Sequence, residues 1–287
     1  MSAIEIENSL DRSSGSESTP GEGSSGSHRW HVSRRWTDNG LRLASIAIFL
    51  ILWQIAGSRM SPILLSTPTS VAQALGDLAG QGILSGAIVD SLKDLCVGFG
   101  LAIITGIGLG VLMGRFRVVE TVLDPYVSFM NATPTVALLP LVIIWFGIGF
   151  GARVIFVFLL ALWSILVNTS VGIKTVNRGY MELADSFGLS QLQVIRRVSL
   201  PAAVPYILAG VRVGLGKAIV GMIIGEMDMQ LAGLGGLVST YGDSFQTSRL
   251  LAVILCSSAF GVFFVAGLKL LQKVAFPWIA DTAGSRQ

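Results

Sequence analysis

The sequence predicts an all-α integral membrane protein with six transmembrane helices and a polar helix pair between spans four and five. Three observations carry that expectation. Of 287 residues, 52% are hydrophobic and 13% charged, against the roughly 25% charge of a soluble domain. The apolar residues form long runs, so lipid must solvate most of the chain. The basic residues gather in alternate gaps between those runs, which is a topology pattern. The net charge of +3 is therefore spread too thinly to imply a nucleic-acid partner.

Residues 1–40 are rich in Ser, Gly and Glu and cannot bury enough surface to fold alone, so they read as a disordered tail. The first apolar run, 41–56, follows no cleavable leader and reads as an uncleaved anchor. A polar stretch runs from 57 to about 93, with breaks at Pro62 and Pro68; Thr69 or Ser70 would cap a short surface helix starting at Val71. The second span is 95–114. The third, 118–146, is interrupted by Pro134 and Pro140, so a kink is expected. The fourth is 154–171. A polar amphipathic stretch, 172–201, separates it from the fifth, 205–225. A Gly-rich stretch, 226–249, leads to the sixth, 250–271. The membrane domain thus occupies 41–275, and 276–287 form a short tail.

Thirteen basic residues, among them Arg34, Arg35, Arg115, Arg117, Lys174, Arg196, Arg197 and Lys273, fall on one side of this arrangement. Four, Arg59, Lys93, Arg153 and Arg249, fall on the other. The excess places both termini and the 172–201 loop in the cytoplasm.

Several chemistries are excluded. Both histidines, His28 and His31, lie in the tail, which removes most metal sites and His-based catalysis from the membrane region. Cys96 and Cys256 lack Cys-x-x-Cys spacing and read as small hydrophobes. No Gly-x-x-x-x-Gly-Lys-Ser/Thr loop is present, and the Gly233, Gly235, Gly236 cluster has no lysine. No carboxylate is expected in the middle of a span.

Glycines at 106, 110 and 114, and at 210, 214, 221 and 225, recur on single helix faces. They serve either close helix packing or a sliding interface. Lys217, in the fifth span, either attracts an anionic solute or pairs within the bundle. Glu226 falls at the outer interface. The break at Asn131, Thr133 and Thr135 is either a kink or a lining of the solute path.

The loop between spans four and five carries the densest local chemistry. Glu182 and Asp185 sit on one short helix, and Gly188 ends it in a left-handed conformation. Ser190 with Gln193 forms a capping box for a second helix. Arg196 and Arg197 complement its dipole, and Pro201 stops it. Leu183, Phe187, Leu192, Ile195 and Val198 supply apolar surface for a partner.

Glu182-Leu183-Ala184, then Gly188, then Val198-Ser199-Leu200-Pro201 resembles the coupling-loop signature of ATP-binding-cassette importer permeases, with Leu183 and Val198 as conservative departures. Ala202-Ala203-Val204-Pro205-Tyr206 fits the same pattern. Residues 138–149 are similar to permeases for nitrate, sulfonates and taurine. The resemblance covers 41–275. It implies coupling to the ATPase through Glu182, Leu183, Ala184, Asp185, Phe187, Gly188, Val198, Leu200 and Pro201. It implies a permease homodimer with two copies of an ATPase subunit and an extracytoplasmic solute-binding protein, in lipid of the bacterial cytoplasmic membrane. ATP and Mg would belong to the ATPase, with no cofactor or catalytic site in this chain. The implied solute is a small oxyanion or organic anion. A secondary transporter or channel is the competing reading, and a membrane-embedded enzyme the third.

Overall fold

The computed structural model describes residues 34–229 and 233–275, with side chains from residue 40 and excepting those of Arg178 and Asp185. The chain divides into two compact units, 1–48 and 49–287; of the first, only the opening of helix α1 is described. That helix, Arg34–Arg59, takes in the last residues of the stretch read as tail. The tail readings for 1–33 and 276–287 lie outside the described residues.

All regular structure among the described residues is helical. After α1 come α2 (Pro68–Gly80), α3 (Ile83–Arg115) and α4 (Arg117–Ala132), then a 3-10 turn (Thr135–Leu138) and α5 (Leu139–Phe146). Next are α6 (Phe150–Lys174), α7 (Arg178–Ser186), α8 (Gln191–Val194), a π-helical turn (Ile195–Ser199), α9 (Leu200–Met229), α10 (Gly233–Asp243) and α11 (Thr247–Ala275). Five segments are long and apolar enough to cross a membrane: Gly40–Arg59, α3, α6, Gln191–Met229 and α11. The pair Arg117–Ala132 and Thr135–Phe146 passes the same test together, bent by 98°. The bend falls at the predicted proline: Pro134 cannot donate a backbone hydrogen bond, and the preceding Thr133 is extended (ψ 131°).

α6 is the centre of the larger unit, with Phe156, Val157, Ala161 and Ile165 wholly enclosed. It packs on α3 through rows of residues spaced by four. Asp94, Gly98, Gly106, Gly110 and Gly114 on α3 face Arg153, Val157, Ile165, Thr169 and Ile173 on α6. Every partner lies 59 residues further along the chain. A constant offset means that the two helices run parallel, in register. The bent pair must therefore carry the chain back along the length of the bundle, as a sixth span would. α9 packs on α6 in the opposite sense: Gly210 meets Asn168, Gly214 meets Ile165, and Gly225 meets Phe156. Chain direction thus alternates from α3 through the bent pair and α6 to α9.

The glycines serve close approach. A methyl on Gly110 would stand 2.6 Å from Thr169 Cβ and 2.7 Å from the Leu166 carbonyl oxygen. One on Gly114 would stand 2.7 Å from Ile173 Cβ. Backbone-to-backbone packing of this kind maximises dispersion contact where lipid offers no hydrophobic drive between helices.

Four sequence readings change. α3 begins at Ile83, not near residue 95, so Asp90, Lys93 and Asp94 belong to the helix. α2 begins at Pro68 and is capped by Thr67, whose hydroxyl accepts from the Ser70 N–H at 3.3 Å. The coupling helix does not stop at Pro201. The Leu200 N–H donates to the Ile195 carbonyl, five residues back. The wider turn leaves Pro201, which has no N–H, in the first turn of α9, where none is needed. The Gly-rich stretch holds an eleven-residue helix, α10, that packs against α9, α11 and α3.

Gly110→Ala should separate α3 from α6, at a cost of about 1–3 kcal/mol for overpacking. Gly108→Ala, with open space at its Cβ, should be neutral. Thermal unfolding of the two purified variants in detergent checks the contrast.

Candidate functional site

Two regions carry candidate functional residues: the α7–α8 knob and the polar positions on α4, α9 and the break between α4 and α5.

The knob is built as its sequence requires. Asn177 opens α7, its side-chain oxygen accepting from the Gly179 N–H at 2.8 Å. Gly188 closes it at φ +64°, and the Leu189 N–H donates to the Ala184 carbonyl at 3.1 Å. These satisfy carbonyls that a helix end leaves free. The capping box is present in both directions: the Ser190 N–H donates to Gln193 Oε1 at 2.8 Å, and the Gln193 N–H to Ser190 Oγ at 3.5 Å. Ala184 and Val194, one on each helix, are buried. Arg115, at the end of α3, donates to Gln191 Oε1 and ties the knob to the bundle. Lys174 pairs with Glu120 at 2.8 Å beside it. Neither tie has a local sequence signal, because each joins residues more than fifty positions apart.

What the knob leaves outside is apolar. Phe187 and Leu192 are each 74% exposed, Leu183 55%. Leu183, Ala184 and Phe187 share a groove of about 360 Å³ with Arg197, Val198 and Pro201. The groove therefore brings together the two halves of the signature, separated in sequence by the turn at Gly188 and α8. Glu182 is exposed, and Leu200 is half-buried at the start of α9. Nothing in the chain covers this surface among the described residues.

The polar positions are not assembled into one site. Asn131 Nδ2 donates to the Val127 carbonyl at 3.0 Å, and Thr133 Oγ1 to the Phe129 carbonyl at 2.8 Å. Both satisfy the end of α4 at the break; Thr135 is half-buried in the turn that follows. Lys217 is exposed on α9. Its neighbour Arg212 is tied to α11 through Gln272 Oε1 at 2.8 Å. Glu226 is not interfacial as read from the sequence. α10 folds back over it, leaving it wholly buried, with one carboxylate oxygen accepting from the Gly235 N–H at 2.8 Å.

The sequence placed Asp94 just outside the second span, whereas the structure places it in α3, near the end away from the knob. Asp94, on α3, is buried and accepts from Arg153 Nε at 2.6 Å, with side-chain exposures of 1% and 8%. Arg153, read as a loop residue, lies in the first turn of α6. A signal for the pair did exist: stepping back by four from Gly98 reaches Asp94, and stepping back by four from Val157 reaches Arg153.

The sequence pattern of the family described as binding-protein-dependent transport system inner membrane component matches residues 102–275, a stretch that includes the C-terminal part of α3, the bent pair, α6, the knob, α9, α10 and α11. The chain belongs to that family. It is a permease of the ATP-binding-cassette transporters and a multi-pass membrane protein. Permease subunits of this family are not themselves catalytic and hold no cofactor; a partner ATPase handles the ATP. The taurine transport system permease protein TauC of Escherichia coli K12 is 31% identical over 257 residues, covering 87% of this chain and 92% of its own. The putative aliphatic sulfonates transport permease protein SsuC of Bacillus subtilis 168 is 29% identical, over 81% of this permease and 85% of its own length. The formylaminopyrimidine transport permease protein ThiX of Halalkalibacterium halodurans is 28% identical over 80% and 92%. A crystal structure of an amino acid ABC transporter with histidines shares the fold, with a TM-score of 0.54 at 18% identity, covering 70% of this permease and 95% of that chain.

The capped turn gives a local prediction. Gly188→Val forces a β-branched residue into the left-handed region, at a cost of about 1–3 kcal/mol. The Leu189 amide should lose hydrogen-exchange protection, while amides of α6 keep theirs.

Proposed function

We propose that this permease is the translocation subunit of an ATP-driven importer for a small organic anion, a sulfonate or a similar oxyanion. The observation that carries the reading is the rigidly capped knob with Leu183, Phe187 and Leu192 uncovered. Exposed apolar side chains on a loop held by three separate capping devices are what a docking surface requires. Two copies of an ATPase subunit would each seat one knob of a permease homodimer. Glu182, Asp185, Gly188, Leu200 and Pro201 frame that seat, with Ala184 and Val198 behind it. Because α8 runs into α9 through the π turn, a push on the knob is delivered to a span that packs on α6.

On this reading 1–40 and 276–287 are cytoplasmic tails flanking the membrane domain 41–275. The knob is cytoplasmic, as the basic residues around it favour. An extracytoplasmic binding protein delivers the solute at the opposite end. The anion preference is supported by relatives named for taurine and aliphatic sulfonates, and by Lys217. A cation exposed on a span is costly unless it faces protein or a water-filled path. Asn131, Thr133 and Thr135 would line the same path at the break, with Glu226 reached only where α10 moves aside.

Three measurements test this. The intact complex is purified and the small molecule held by its binding protein identified by mass spectrometry; a sulfonate or related anion is expected, and a neutral or cationic heterocycle would contradict the solute class. Phe187→Ser should abolish ATPase co-purification with membrane insertion unchanged. Lys217→Gln should lower uptake of the identified anion by about tenfold, the effect of losing about 1.4 kcal/mol, and leave assembly intact.

A further inference from the structure

At the end of the bundle away from the knob, four elements meet in one buried polar cluster. Ser91 and Asp94 come from α3, Arg153 from α6, Glu226 from α9, and the first amides from α10. Ser91 Oγ accepts from the Leu234 N–H at 2.9 Å, and Glu226 Oε2 from the Gly235 N–H at 2.8 Å. One turn along α3 from Ser91, Asp94 holds Arg153. Ser91, Asp94 and Glu226 are all 0% exposed.

At its start α10 is held by these bonds and by Leu234, whose side chain is wholly buried in the core. It has eleven residues, about 16 Å of helix, too short to span. Its opening residues Gly233, Gly235 and Gly236 present no side chains. Gly233 (φ +80°) and Gly235 could not carry one, because a methyl on either would collide with Glu226. On its far side Val238 borders an apolar groove of about 800 Å³ between α9 and α11.

The cluster is also only partly satisfied. Asp94 Oδ1 and Glu226 Oε1 are buried without a hydrogen-bond partner. A group of buried acceptors with spare capacity can re-pair when a neighbour moves, whereas a fully bonded network resists rearrangement. Buried ionisable groups are costly unless paired, so their retention here calls for a role.

We propose that Ser91, Asp94, Arg153 and Glu226 are positioning residues that latch α10 as a closure over the end of the α3–α6–α9 block, and that opening this latch is a step of transport. The inference rests on the importer reading for its second half. The ties to α10 come from two different spans, and Arg153 brings in the third. Relative movement of any of the three breaks the set, so the closure reports on the bundle's state. Glu226 is the central member because its side chain both caps α10 and stands against the glycine face.

The test uses the full permease with its ATPase in lipid nanodiscs, reading hydrogen exchange at 233–238 and ATP hydrolysis without binding protein. Glu226→Ala should speed exchange of the Leu234 and Gly235 amides by about tenfold or more through local opening and raise hydrolysis severalfold. Glu226→Gln keeps an oxygen for Gly235 and should restore both to wild-type values. Asp94→Asn, which touches no α10 amide, should speed the same amides if the cluster acts as a unit. Wild-type exchange in Glu226→Ala would overturn the latch. Faster exchange with unchanged hydrolysis would overturn its role in transport. Should Glu226→Ala not accumulate, Ser91→Ala removes a single acceptor and carries the same two readings. Failure of any ATPase to associate would defeat the importer reading instead, and exchange would still decide the latch.

Discussion

The structure depends on one close approach. α6 is enclosed between α3 and α9 at a distance where glycine is the only residue that fits at repeated positions on both neighbours. Lipid gives helices no hydrophobic reason to associate, so contact area and polar ties have to supply the attraction. The α3 seam provides both: four glycines along its length and the Asp94–Arg153 pair at its end. The parallel register of α3 and α6 follows from this seam. So does the return path, which forces the chain through the bent α4–α5 segment.

The block formed by α3, α6 and α9 gives the knob something to push against. α8 is joined to α9 by a continuous backbone, and Arg115 of α3 reaches Gln191 at the start of α8. The knob is therefore anchored to two members of the block, while its apolar face points away from it. The glycine rows had two readings, sliding or close packing. Backbone carbonyls within 3 Å of where a methyl would stand on Gly98, Gly110 and Gly114 favour close packing. A seam of that kind has few alternative arrangements, because the next register along the row would place side chains against one another.

The knob was legible because its chemistry is local. Gly188, Ser190 and Gln193 act within five residues of each other, and their spacing alone specifies a turn and a capping box. The bend at Pro134 was legible for the same reason. The buried ion pair was harder to read: a charge at residue 94 beside an apolar run looks like the edge of a loop unless the four-residue rows through Gly98 and Val157 are extended to it. α10 was hidden by its glycines, which lower helix propensity; its position comes from the burial of its own Leu234 and from Ser91 and Glu226, which lie outside its segment. Pro201 misled for a different reason. A proline usually ends a helix, but here a π turn absorbs the missing donor, and no feature of the single sequence marks that turn. The pathway residues stay dispersed: Asn131 and Thr133 satisfy their own helix end, and Lys217 stands alone on α9.

The central claim is that α3 and α6 move as one body while the permease works. A cross-link across their seam tests it directly. A Cβ at Gly106 would stand 3.0 Å from Ile165 Cβ, tighter than the roughly 3.5–4.5 Å of a disulfide, so the reduced double-cysteine variant, with its seam slightly spread, is the reference against which oxidation is read. Gly106→Cys with Ile165→Cys would be made in a background lacking Cys96 and Cys256. Transport by the reconstituted complex of the solute eluted from its own binding protein would then be measured before and after oxidation. A rigid seam predicts that closing the disulfide leaves the rate unchanged. Arrest on oxidation, reversed by reduction, would show that the two helices slide past one another in every cycle.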